Sequence, residues 1–179
     1  MNLYCNPLSL SIPPLLEDVD VTTITESHAR ISLDKMNPEI KQVLLDLGIH
    51  VSLIELFHRE PGNKGTIHTD NQPGDFAKIN WIYKGKNSYM LWFSVKDPNS
   101  KKGVSNTVVN TEYIDYTFSE VNAEYAVNLK GVALVQVGVP HLVINANEHR
   151  YCLCFVLTDK DGTRLTMQQA YELLSDYIV

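Results

Sequence analysis

Apolar residues recur with a helical period at only two places in this chain. In NPEIKQVLLDLG, Ile40, Val43, Leu44 and Leu47 form one stripe; Asn37 is placed to cap, Pro38 suits the first helical turn, and Gly48 ends it. Near the end, Met167, Ala170, Tyr171, Leu174 and Ile178 share a face behind a Thr166/Gln169 capping-box pattern. Everything between has the short period of strands: HVSLIELFHRE, FAKINWIY, SYMLWFSV, NTVVN, TEYIDYTF, AEYAVNL, GVALVQV, HLVIN and RYCLCFVL, with TTITESHARISL as a further strand before the first helix. KGKN predicts a hairpin joining FAKINWIY to SYMLWFSV. The pattern predicts a mostly β protein with flanking helices. Its architecture is a double-sheet jelly roll in a single domain over residues 1–179, with an irregular, proline-rich segment at 1–20 and a β core over 50–157.

Composition narrows the function classes. A length of 179 residues suits one domain with its own core, and a formal net charge of -6 supplies no general basic surface for a phosphate backbone. Lys84, Lys86, Lys101 and Lys102 form at most a local basic patch, more simply read as a solvated hairpin face. No apolar run approaches the ~18 residues of a membrane span, and MNLYCNPLSL has no charged region leading into an apolar one, so no signal peptide is expected. The three cysteines, Cys5, Cys152 and Cys154, are too few for a disulfide framework; as small core residues they fit a reducing cytoplasm.

The chemistry begins in GTIHTDNQPGD. In an extended segment His68 and Asp70 point to the same side, so both can reach one ion, and a third ligand must come from another strand. His141, presented after the Gly138-Val139-Pro140 turn, is the candidate, and His58 is its rival. If INANEH is a tight hairpin loop, His141, Val143, Arg150, Cys152 and Cys154 fall on one face. An inward arginine there is costly unless an anion meets it; a distant carboxylate or a bound dicarboxylate would serve.

His68-x-Asp70, then His141 about seventy residues on, then Arg150, resembles the iron(II)- and 2-oxoglutarate-dependent oxygenases, and the intervening strands suit their double-stranded β-helix. The segment DFAKINWIYKGKNSYMLWF is similar to the strands that follow the HxD motif there. The resemblance implies that His68, Asp70 and His141 hold iron(II) as a facial triad. It implies further that 2-oxoglutarate chelates the metal through its keto acid, that Arg150 grips the far carboxylate, and that the product is a hydroxylated small molecule or peptide side chain. Asp70, read as facing the mouth, should be replaceable by alanine with little loss of folding.

Two departures from the family pattern arise. Relatives often carry a serine two residues after the arginine, where this chain has Cys152; Tyr83 or Tyr89 then become the candidate hydroxyls, and Asn80 a further cosubstrate contact. The substrate is open: Trp81, Tyr83, Tyr89, Trp92 and Phe93 could line a mouth or fill strand faces. A second class is also open. GVPHLVIN carries G-x-x-H-x-x-x-N, similar to the second cupin motif, which would make this a cupin-like metal-binding protein or isomerase without oxygenase activity. Zinc on His149, Cys152 and Cys154 is a third arrangement, disfavoured because His149 and Cys152 point to opposite faces of a regular strand.

Overall fold

The computed structural model describes residues 1–70, 74–85, 87–99 and 102–179. Its strands build two antiparallel sheets. The first runs, in spatial order, Cys5–Pro7 (β1), Val132–Gln136 (β10), Ala77–Lys84 (β5), Arg150–Thr158 (β12), His50–Arg59 (β3) and His28–Ile31 (β2). The second runs Ser105–Asn106 (β7), Glu112–Tyr116 (β8), Ile67–Asp70 (β4), His141–Ile144 (β11), Tyr89–Val95 (β6) and Val121–Asn128 (β9). From β3 to β6, and again from β9 to β12, each successive strand changes sheet, while β6 and β9 pair side by side. That alternation is the winding of a jelly roll, here a double-stranded β-helix of cupin type.

The first sheet is buried on both faces, which explains why β12 is apolar between Arg150 and Thr158 at its ends and buried at every position. Leu153, Phe155 and Leu157 face outward into a core shared with Ile40 and Leu44 of α1 (Pro38–Asp46) and with Met167 and Ala170 of α2 (Met167–Leu173). Both helices are capped as the sequence reading expects: Asn37 accepts from the Glu39 amide, and Thr166 and Gln169 close a reciprocal capping box. The opposite face looks into the sandwich, where Met90, Trp92, Val135, Cys152 and Cys154 pack together.

Five local expectations give way to the sheet topology. β5 and β6 do not form a hairpin; they lie in opposite sheets, and the chain between them turns a corner (Lys86 of KGKN lies outside the described residues). β11 and β12 are likewise in opposite sheets, so His141 does not face Cys152 across a ladder. The connection INANEH is tied down by Asn145, whose side-chain amide donates to the carbonyls of Arg59, Glu60 and Glu148. Within 1–20, Cys5–Pro7 pairs with β10 as an edge strand, and of TTITESHARISL only His28–Ile31 is strand. NTVVN contributes only Asn106 to a strand, because Asn110 takes φ 60° and turns the chain.

Candidate metal centre

The second sheet carries the triad. β4 delivers His68 and Asp70, and β11 lies beside it with His141 directly opposite His68. Gly138 makes the approach to His141 possible, since a side chain there would stand 2.0 Å from the Gly74 carbonyl oxygen. One donor atom from each of His68, Asp70 and His141 lies within 4.8 Å of the others, the only such three-residue group among the described residues. Asp70 Oδ1 is 3.5 Å from His68 Nε2 and 3.8 Å from His141 Nε2. Adjacent donors bound at about 2.1 Å to one ion stand roughly 3 Å apart, so small side-chain adjustments close the set.

Both imidazoles are set in the tautomer a metal requires. His68 Nδ1 donates to the Thr66 carbonyl at 2.9 Å and His141 Nδ1 to the Val139 carbonyl at 3.0 Å, so each Nε2 keeps its lone pair for the centre. Burial, helped by the neighbouring His68, pushes His141 down to about 4, which keeps it neutral. Burial would also lower His68, but its contact with Asp70 and the Thr66 carbonyl raise it instead.

Behind the triad stands a charged chain the sequence reading did not anticipate. Lys78 is 1% exposed and its ammonium lies 2.7 Å from Asp70 Oδ2 and 2.7 Å from Glu55 Oε2. Glu55 Oε1 accepts from Thr111 at 2.8 Å and meets His28 Nε2 at 3.2 Å. Lys78 therefore occupies one Asp70 oxygen and leaves the other, Oδ1, toward the histidines. Burial alone would raise the Asp70 carboxyl, but the Lys78 charge and the His68 contact hold it well below the usual range. Asp70 is 9% exposed and not at an open mouth.

Glu55 follows the same logic: burial opposes ionisation, yet Lys78 and His28 bring it from 4.5 down to about 2. A carboxylate depressed in the fold contributes stability that is complete above its unfolded value and lost as pH falls through its folded one. Unfolding free energy should therefore drop by about 3 kcal/mol between pH 4.5 and 2 on account of this group. Urea melts across that interval check it; Glu55→Gln should flatten the slope, and an unchanged slope would contradict the assignment.

Arg150 lines the same inner cavity as the triad, a space of about 50 Å³. It is 3% exposed, and among the described residues no carboxylate lies within 4.0 Å of it. Its Nε donates to Ser88 Oγ at 3.0 Å, and Ser88 donates to the Gly85 carbonyl. Gly85, at φ 87°, sits so close that a Cβ would lie 2.6 Å from Arg150 Cβ. Ser88 is thus the hydroxyl beside the arginine; Tyr83 and Tyr89 are 45% and 50% exposed. Arg59 lies directly opposite Arg150 in register and lines the same cavity, two like charges on neighbouring positions. Asn80 also lines it, with a buried Oδ1 that has no partner.

The remaining candidates go elsewhere. His58 Nε2 lies 3.0 Å from His149 Nδ1 and its ring stacks on Tyr151, so neither histidine joins a metal cluster and the zinc arrangement falls away. Cys152 and Cys154 are free and buried, their sulfurs 3.7 Å apart. Trp92 and Phe93 are core, and of the aromatics proposed for a mouth none lines either cavity beside the triad. No helix among the described residues is long and apolar enough to cross a membrane.

No family model and no curated protein matches the chain. Among solved structures it is similar to E. coli ycfD, at 14% identity over 68% of this chain and 29% of that one, with a TM-score of 0.38. It is also similar to an oxalate oxidase, at 12% identity over 87% and 62%, TM-score 0.38, and to pumpkin seed globulin, at 9% identity over 70% and 28%, TM-score 0.33. The chain spans less than two thirds of the length of each of these proteins.

Proposed function

We propose that the protein is an iron(II)- and 2-oxoglutarate-dependent oxygenase. The observation that carries this reading is Arg150: a buried guanidinium with no carboxylate within 4.0 Å among the described residues, in one cavity with two imidazoles and a carboxylate. A buried cation of this kind is costly unless an anion meets it, and a dicarboxylate chelating the ion would supply one. The like-charged Arg59, directly opposite Arg150 in register, points the same way, toward an occupant of net negative charge.

His68, Asp70 and His141 would hold iron(II), a donor set suited to that ion, with positions left open. When bound, the metal with cosubstrate and oxygen supplies oxidation of a substrate C–H bond, yielding succinate, carbon dioxide and the hydroxylated product. The protein's own part is preorganisation. Thr66 and Val139 fix the imidazole tautomers, Lys78 fixes the Asp70 carboxylate, and Ser88 fixes the Arg150 fork. At about 50 Å³ the inner cavity is the smaller of the two spaces beside the triad, and Met90 is the most compliant side chain lining it.

The Ser88 contact favours one second reading, a metal-binding protein of the same fold in which Arg150 is held structurally. The two separate in one experiment. Calorimetric titration of 2-oxoglutarate into the iron(II)-loaded protein without oxygen should show binding, and oxygen should then yield succinate slowly even without substrate. Arg150→Lys keeps the charge but loses the fork, and should weaken 2-oxoglutarate by about 1.5–3 kcal/mol, roughly 10- to 150-fold, while iron binding holds. Equal affinity in variant and wild type, or no binding at all, would leave the second reading.

A further inference from the structure

A second cavity, of about 210 Å³, lies on the other side of Arg59, His68 and Asp70 and shares Phe57 with the inner one. Two polar groups in its walls lack a protein partner. The Arg59 guanidinium has neither a carboxylate within 4.0 Å nor a side-chain hydrogen bond among the described residues. His28 is 6% exposed, and its Nδ1 is buried with no hydrogen-bond partner. In the neutral ring whose Nε2–H faces Glu55, that Nδ1 is a lone-pair acceptor.

The two groups are placed to act on one molecule. His28 stands opposite Phe57 in register and stacks on its ring at 4.2 Å, and Arg59 is the next inward residue of β3. A diagonal pair of this kind sits roughly 7–8 Å apart at the backbone, with the apolar Phe57 ring between. One end of the cavity therefore offers a fork of donors for a carboxylate; at the other the His28 ring lines the wall, and a turn of that ring would bring its buried Nδ1 to an N–H or O–H. Its volume is roughly four times that of the inner cavity.

We propose that this outer cavity binds a small carboxylic acid bearing an amino or hydroxyl donor, its carboxylate on Arg59 and its donor on His28 Nδ1, and that this acid is the substrate. The role as substrate rests on the oxygenase reading; the binding itself does not. His68 and Asp70 in the cavity wall put such a ligand beside the metal centre, while Arg150, absent from this wall, stays with the inner site.

The test titrates the proteinogenic L-amino acids, L-lactate and L-malate into the purified chain without added metal or 2-oxoglutarate. At least one acid should bind, and its primary amide should not. Arg59→Gln should weaken that acid by about tenfold or more, the loss expected for one charge-assisted contact, with partial recovery in Arg59→Lys. His28→Phe should weaken it too, whereas Arg150→Lys should not. Binding confined to amino acids, or to hydroxy acids, identifies the donor. If no acid binds, if the amide binds equally, or if Arg150→Lys removes binding while Arg59→Gln does not, the proposal is overturned. Titrating 2-oxoglutarate in parallel into the iron(II)-loaded protein without oxygen keeps the readings apart: an acid that binds the metal-free chain where 2-oxoglutarate fails to bind the loaded one leaves the site standing and removes the oxygenase.

Discussion

Lys78→Met should lower folding stability by about 3–5 kcal/mol at neutral pH, the largest single effect expected of any charge in the protein. Methionine keeps most of the buried stem, so packing changes little, but Glu55 and Asp70 lose the cation that compensates both. Glu55 retains His28 and Thr111, whereas among the described residues the Asp70 side chain retains only the contacts around the histidines. A divalent ion bound by the triad would restore a countercharge to Asp70, so zinc or manganese should rescue the variant more than it stabilises wild type. Urea melts with and without metal measure both quantities. A variant as stable as wild type, or an equal metal increment, would show that Lys78 does not balance the site.

Second in size is the loss of metal on removing a ligand. His141→Ala should weaken zinc or iron(II) by more than the ~100-fold typical of losing a supporting group around a site, since it deletes a donor outright. Its structural cost should be only about 1–3 kcal/mol, mainly the unsatisfied Val139 carbonyl. Calorimetric titration against wild type reads the affinity, and an unchanged value would place the ion elsewhere. Asp70→Ala is the poorer probe. The sequence reading made Asp70 a mouth-facing ligand with little part in folding, but it is buried and paired with Lys78, so its removal should disturb stability and metal together.

The residues that local pattern could find were those whose role depends on spacing along the chain. His68 and Asp70 are two apart on a strand, and the helix caps at Asn37 and Thr166 sit where their motifs put them. His141 was singled out by the turn before it, but Arg150 was put on its face through a hairpin that does not exist: the two line one cavity because β11 and β12 lie in opposite sheets of the sandwich. Short connections such as KGKN and INANEH look alike whether they join neighbours in one sheet or turn a corner between two. That choice is made by the whole winding, which no local window contains.

Lys78, Glu55, Arg59 and Ser88 were missed for a related reason. In KINWIYK the Lys78/Asn80 positions alternate with Ile79 and Trp81, the ordinary signature of a strand with one wet face. Here the polar face is the interior one, because both sides of the sheet are covered. A lone carboxylate inside SLIELF was the available hint, since Glu55 needs a buried cation and Lys78 is one of few lysines set within an apolar run.

The ammonium of Lys78 already stands where a protein that needs its ion to fold would keep an open demand for positive charge. Chains whose ligands are otherwise unsatisfied close only around the metal; this one can finish closing first. Loading of a metal would then be a late and reversible event in the molecule's life: an ion would be chosen by a completed donor set, a chelator would strip it from a body that stays intact, and the same body would accept another.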